Sequence, residues 1–415
     1  MIYFISTLLL CLVLATKISF ATIGRGGSPG FFEYVSIIVL VAIIIAGTFD
    51  YIRSWRKKKS EKQVVEKAGL AKFFIILSIL FISTSLFINF NKKAVLWDAV
   101  ALYDARAIFL VSGINFTEMV EISKYDSNNN YYYVLYPPYT SMVHYFWYEL
   151  GVPIPVGVFY SISLLLLAVV IYSVTRKHLG LIVAALLTFI VVSNGVIFSL
   201  SLSEYTNLPF TLQMFLGVFL IYEYLKGGSK WKIFYGIGLV ITTMWIRFLE
   251  PLWVGAVLAL FISTFIKKKF SKELLYPVLM LVCGVIEYIA WQSFVSGSVD
   301  TTKMVSFSAI RFLEPVVGIF TGSLASIFIF FIKSWGPILL VHLFAIYLAI
   351  LNKNKLNFLQ MFMIFTILIY FSGLYFVSFQ SAWWDKLGDS LVRGSTFMIP
   401  ISGYLILEYL HGKKN

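Results

Sequence analysis

Runs of about twenty apolar residues recur along the whole chain, and this feature limits the fold more than any other. A run of that length, wound as a helix, spans the hydrocarbon of a bilayer. Inside lipid every backbone N–H and C=O has to be satisfied within the chain, and a helix does this locally. The pattern predicts an all-α, polytopic integral membrane protein. Twelve apolar runs stand out, at about 3–22, 31–52, 71–90, 154–175, 180–200, 206–225, 231–248, 250–267, 274–295, 335–352, 356–379 and 394–411. They predict 11 to 12 transmembrane helices joined by external interfacial helices. With 60% of residues apolar and 13% charged, no polar segment is long enough for a separate soluble domain.

A net charge of +13 raises the question of nucleic acid. Its distribution argues against that partner. The basic residues cluster in short loops: Arg53 to Lys59, Arg176-Lys177-His178, Lys226 to Lys232, Lys267 to Lys269, Lys353 to Lys355, and Lys413-Lys414. Short cytoplasmic loops carry Lys and Arg. Placing the 53–70 loop in the cytoplasm and alternating puts all six clusters inside, with the carboxyl terminus. The segment 316–333 is apolar enough to cross, but crossing would move two clusters outside, so an external interfacial helix is expected there. The first run has the apolar core of a signal peptide but lacks an amino-terminal Lys or Arg. Cys11 and Cys283 lie in apolar runs and form no C-x-x-C pair. The four histidines show no H-x-x-x-H spacing.

This parity leaves two long external loops, about 91–153 and 296–334, and short external turns near 200–205, 246–251 and 380–393. Acids and arginines gather on that face. The stretch L-W-D-A-V-A-L-Y-D-A-R-A, 96–107, holds Asp98, Asp104 and Arg106. On an α-helix, six residues turn about 600°, so Asp98 and Asp104 point roughly 120° apart and are no same-face pair. Asp98 also suits an N-cap, and Trp97 and Tyr103 suit a helix at headgroup level. Next comes N-Y-Y-Y-V-L-Y-P-P-Y-T-S-M-V-H-Y-F-W-Y-E-L-G, 130–151, where Pro137-Pro138 fixes an extended entry to an amphipathic aromatic helix parallel to the membrane. Tyr136 and Tyr139 flank the prolines. Asn115-Phe116-Thr117 is a glycosylation sequon. Glu204 lies in S-L-S-E-Y-T-N-L-P. Arg-Phe-Leu-Glu-Pro occurs at 247–251 and 311–315, with Arg247 and Glu250 in the first copy, spaced to pair on a helical turn. The last turn holds Asp385, Lys386, Asp389 and Arg393.

Four of these motifs, in order, resemble the C-type (GT-C fold) membrane glycosyltransferases. The likeness is to the family-39-like set, which includes protein O-mannosyltransferases and related bacterial transferases. They are W-D-A-V-A-L-Y-D-A-R-A, Y-P-P-Y-T-S-M-V-H-Y-F-W-Y-E-L-G, S-E-Y-T-N-L-P-F-T-L-Q-M and D-S-L-V-R-G-S-T-F-M-I-P. The resemblance covers about 71–411, which would be a GT-C-like catalytic domain. Residues 1–70, one or two extra spans and a basic loop, have no counterpart. Glu204 stands where the family often has Asp.

The resemblance implies inverting transfer of a sugar from a polyprenyl-phosphate donor to an acceptor hydroxyl on a glycan, lipid or protein. The site would face outward from the plasma membrane. Asp98 would be the general base, with Asp104 and Glu204 assisting. Arg393 would clamp the donor phosphate, with Arg247 and Lys386 behind it. Trp97, Tyr136, Tyr139 and Glu250 would position the substrates. The resemblance fixes no cofactor and leaves a divalent metal open, because some relatives use one. The alternative is a multi-spanning transporter or lipid flippase. Against it, span interiors carry few charges, and no paired broken helices mark an inverted repeat.

Overall fold

The computed structural model describes residues 1–26, 30–55, 69–91, 98–124, 136–247, 251–267, 272–298, 323–351, 357–379 and 388–412. Among these the chain is helical, with no strand. The helices are α1 (Ile2–Ser19), α2 (Phe31–Trp55), α3 (Gly69–Asn91), α4 (Ala105–Val111), α5 (Phe116–Lys124), α6 (Tyr139–Glu149), α7 (Val158–Leu179), α8 (Leu181–Val192) and α9 (Gly195–Leu200). They continue as α10 (Asn207–Leu225), α11 (Trp231–Ile246), α12 (Leu252–Lys267), α13 (Leu275–Ser298), α14 (Ser323–Trp335), α15 (Pro337–Leu351), α16 (Phe358–Ser378), α17 (Gly388–Gly394) and α18 (Met398–Gly412). Wider π-type turns occupy Phe20–Gly24 and Asp98–Asp104.

Seven of these helices are long and apolar enough to cross a membrane, or nine if each of two bent pairs forms one span. The chain is a multi-pass membrane protein. Three shorter apolar helices lie within the predicted runs 180–200, 231–248 and 250–267. The first of those runs is broken because Asn194 turns its Oδ1 back to the amides of Val196 and Ile197, capping α9. The two halves of one bent pair, 324–335 and 337–348, meet at 93°. Two helices at right angles cannot both follow one span axis. The described part of 316–333 is therefore set across α15 rather than in line with it.

Burial sorts the helices into an inner and an outer set. Of the most apolar window in α10, 89% is buried, against 22% in α2 and 17% in α3. A helix apolar all round belongs at the centre or against lipid. Here α10 takes the centre, while α2 and α3 leave Ile38, Ile45, Phe73, Ile76 and Phe87 exposed on their outer faces. Packing α10 on α11 depends on glycine. A Cβ at Gly217 would lie 2.9 Å from Val240, and one at Gly236 would lie 2.9 Å from the Gly217 carbonyl oxygen. Small residues let helix backbones approach closely where burial from water supplies no driving force.

α1 packs into the same bundle, on α2, α11 and α6, with Leu10 and Val13 fully buried. It also carries a buried charge, Lys17. Lys17 Nζ lies 2.5 Å from Glu287 Oε1 on α13 and 2.8 Å from Ser36 Oγ on α2. Ser36 Oγ in turn donates to Glu287 Oε2 at 2.7 Å, and the ammonium sits 4.5 Å from the Trp245 ring. The cavity around them is about 10 Å3, room for one water at most. Span interiors thus hold an ion pair, closed on itself, that joins three helices. It escapes a linear reading because 270 residues separate its members.

Basic residues collect at one end of the bundle, at the end of α7 and the start of α11. The opposite end holds the 98–104 turn, α4, α6, the 201–206 turn and α17, and is called the loop end below.

Candidate functional site

The loop end is built around α6. His144 and Tyr148 are four residues apart, so they share one face of this helix. Both reach Asp104, which closes the π-turn and precedes α4. The Tyr148 hydroxyl donates to Asp104 Oδ1, and His144 Nδ1 lies 3.3 Å from the same oxygen. On its other side, His144 Nε2 meets the Tyr160 hydroxyl of α7 at 2.8 Å. His144 thus links Asp104 to Tyr160. His144 is fully buried, whereas the Asp104 side chain keeps 18% exposure. Both contacts fall on Oδ1; Oδ2 makes no hydrogen bond among the described residues.

Burial pushes the Asp104 carboxyl up, but the hydrogen bonds from His144 and Tyr148 and the charge of His144 outweigh it. The net shift is downward, and the carboxylate is held ionised. Tyr148 moves far up, first through burial, then through the bond it donates to Asp104, then through the charges of Asp104 and Glu204. Its proton stays on oxygen.

Glu204 approaches the same phenols from the 201–206 turn. Its charge is felt at both Tyr148 and Tyr160. Among the described residues it is the one non-glycine residue with positive φ, +56°. A side chain in that region costs about 1–3 kcal/mol and persists only where surroundings enforce it. The enforcement is visible. Asn89 Nδ2 donates to Ser161 Oγ and to the Ser201 carbonyl, both at 2.8 Å, and Ser85 Oγ bonds Ser161 and Ser201 at 2.9 and 2.8 Å. These bonds tie α3, α7 and the turn together. Glu204 Oε1 packs closely on Gly157; a Cβ there would lie 2.9 Å from it and 3.1 Å from Asn89 Oδ1.

Arg393 of α17 reaches the same turn. Its guanidinium lies 4.9 Å from the ring of Tyr205, the residue after Glu204, and its Nε is 2.9 Å from Asp389 Oδ2. The start of α18 is pinned by a 2.5 Å bond between Thr396 and Thr211 of α10, and Thr396 Oγ1 donates to the Arg393 carbonyl at 3.0 Å.

The fold thus gathers Asp104, Glu204 and Arg393 at the loop end, from three separate parts of the chain. Arg247 caps α11, its amide donating to the Thr243 carbonyl at 2.8 Å, and its side chain is largely buried. The Tyr136 carbonyl accepts from Arg106 Nη1 at 3.1 Å, and its ring meets Tyr103 edge-on at 6.4 Å. Tyr139 is buried, which drives its hydroxyl well above the ordinary range. Asp98 starts the π-turn, but its side chain, like Trp97, Glu250 and Lys386, lies outside the described residues. So does the second Arg-Phe-Leu-Glu-Pro. Among the described residues no three His, Cys, Asp or Glu side chains group as metal ligands.

Two local readings change. The 98–104 segment is a π-type turn, not an α-helix, and such turns are frequent at functional sites. In α6 all seven residues Tyr139–Tyr145 are buried, so its first half is enclosed rather than amphipathic. His144, Tyr148, Tyr160 and Asn89 were not singled out from sequence. The available signal was H-x-x-x-Y on a helix facing an acid. Asn115, seen as a sequon, works as a helix cap: its Oδ1 accepts from the Glu118 amide and its own amide donates to Glu118 Oε2.

Compared with protein-family models, with curated proteins and with solved structures, the chain matches none of them.

Proposed function

We propose that this chain is a GT-C-like membrane glycosyltransferase, taking a sugar from a polyprenyl-phosphate donor and passing it to an acceptor hydroxyl at the loop end. One observation carries the reading: an ionised carboxylate (Asp104), a second acid (Glu204) and an arginine (Arg393) lie at the same end of the bundle, away from the basic end. Such a reaction needs a carboxylate to take the hydroxyl proton and a cation to hold the phosphate that leaves.

The step balances simply. The acceptor oxygen loses its proton to a carboxylate and bonds to the anomeric carbon. The bond from that carbon to the phosphate oxygen breaks, and its electron pair departs on the polyprenyl phosphate. Arg393 faces that growing charge, with Arg247 and Lys386 as further cations of this reading. Asp98 remains the base that the resemblance implies. Asp104, held ionised with His144 and Tyr148 on Oδ1, assists through Oδ2 by orienting the acceptor or holding Asp98. Glu204 orients the acceptor. In this reading the loop end faces outward from the plasma membrane, the carboxyl terminus is cytoplasmic, and the donor's tail never leaves lipid.

The test uses purified protein in liposomes with polyprenyl-phosphate sugars of several kinds. Donor consumption is expected, with its loss in Asp98→Asn or Asp104→Asn and in Arg393→Ala. Full turnover in both carboxylate variants would overturn the site. The transporter reading gains one observation, the ion pair of Lys17 and Glu287 inside apolar helices. Substrate flux across the liposome without donor use, lost in Glu287→Gln, would establish that reading instead.

A further inference from the structure

The basic end holds a cavity of about 320 Å3 that glycosyl transfer at the loop end does not use. It lies where five helix ends meet: the starts of α1 and α11 and the ends of α2, α7 and α10. Tyr3 and Tyr51 stack at 3.6 Å, and Trp231 stands edge-on to them at 5.7 and 5.6 Å. Val174, Phe219 and Leu220 complete an apolar wall. Lys177, Lys232 and Glu223 line it too.

The charges are unbalanced. Lys232 Nζ lies 2.8 Å from Glu223 Oε2, Lys177 Nζ bonds that same oxygen, and His178 Nε2 takes Oε1. Two ammonium groups thus share one carboxylate that is already engaged on both oxygens. Each ammonium carries three N–H donors and spends one on Glu223. Their mutual repulsion and their remaining donors favour an anion beside them. Glu223 is the one carboxylate among the described lining residues, and Asp50 beside them accepts from the Trp231 amide at 2.8 Å. The aromatic and aliphatic wall suits a ligand that is apolar beyond its charged group. Tyr and Trp rings favour headgroup depth, and basic pockets between helices on the cytoplasmic side bind acidic headgroups.

We infer that this cavity binds the phosphate headgroup of an acidic phospholipid, with Lys177 and Lys232 on the phosphate and the glycerol region against the Tyr3–Tyr51–Trp231 wall. The inference is independent of the reading of the loop end. The phosphate chemistry is shared with free phosphate ion, and the apolar wall is what selects the lipid.

Thermal unfolding of the full chain in neutral detergent tests this. Short-chain phosphatidylglycerol, phosphatidylcholine of the same chains, and inorganic phosphate are titrated separately. Phosphatidylglycerol is expected to raise Tm saturably, as a ligand of the folded state does, with the other two near baseline. Lys177 is 54% exposed, so Lys177→Gln is expected to fold and to need about tenfold more phosphatidylglycerol, the loss of one charged hydrogen bond. Ser173→Trp fills the cavity without changing charge and is expected to abolish the response. An equal response to phosphatidylcholine would overturn the headgroup assignment. An equal response to inorganic phosphate would overturn the lipid. Wild-type titrations in both variants would overturn the site.

Discussion

Glu223 and Asp104, at opposite ends of this molecule, are held in opposite ways. At the basic end, Glu223 is bound by Lys177, Lys232 and His178, and Glu408 by Lys226 at 2.6 Å and the Tyr222 hydroxyl at 3.0 Å. At the loop end, Asp104 is held by a phenol and an imidazole, with no lysine or arginine on it among the described residues. Glu204 sits on a backbone that its own side chain disfavours. A carboxylate bound by several cations is tied into the structure. A carboxylate fixed through one oxygen by a phenol and an imidazole keeps its charge and a second oxygen for a substrate group. The contrast separates acids that hold the bundle together from acids placed to react.

The largest expected effect tests the reactive side of that contrast. Asp104→Asn keeps the shape and removes the charge. Donor turnover in liposomes is expected to fall on the order of 10²-fold, the low end of acid–base contributions, as suits an assisting acid. Wild-type turnover would place Asp104 with Glu223, among the structural acids. The opposite substitution, Glu223→Gln, leaves two ammonium groups without their counter-charge. Removing one partner of a buried pair costs about 3–5 kcal/mol, and the lower end is expected because Lys177 is exposed. Equilibrium denaturation reads it, and an unchanged midpoint would break the comparison at the basic end.

A smaller effect is expected at Gly157→Ala. The new methyl must push Glu204 Oε1 outward from a 2.9 Å approach. A displaced carboxylate is expected to lower turnover about tenfold while Tm stays within a few degrees. A large loss of Tm with normal residual turnover would show that Gly157 serves packing alone.

The smallest effect is in acid. Asp104 ionises below its ordinary value in the folded protein, so its contribution to stability is complete above the unfolded carboxyl value, near pH 4. It fades as pH falls through the lower folded value. The stability difference between wild type and Asp104→Asn should therefore narrow as pH drops below about 4. Unfolding curves from pH 2 to 6 check this, and a difference constant across that range would remove the role of His144 and Tyr148 in holding the charge.

Much of the loop end was legible in sequence as a set of places. The turn that carries Glu204, the turn that carries Arg393 and the first-loop acids all stand between apolar runs, where polar groups have to go. Their partners were not legible. His144 and Tyr148 sit within an aromatic stretch that reads as an interfacial belt, and only the approach of α4 and α7 gives their polar atoms a target. Asn89 ends an apolar run and looks like a boundary residue, yet it is buried and braces Ser161 and the Ser201 carbonyl. The ranking within the 98–104 turn also rested on resemblance, which put Asp98 first; the packing that surrounds Asp104 is a separate argument, made by residues 40 and more positions away.

By itself the sequence determined that this is a multi-pass helical membrane protein with basic residues gathered in short loops. Apolar run length and charge segregation are one-dimensional properties, and a bilayer leaves helices few alternatives. Only the tertiary structure decided which charged groups meet. It closed Lys17 on Glu287, surrounded Glu223 with cations, and set Asp104 against His144 while Glu204 faced the same phenols. Each of those pairings depends on distances of a few ångströms between segments far apart in the chain, and hydropathy, which ranks residues one at a time, carries no information about them.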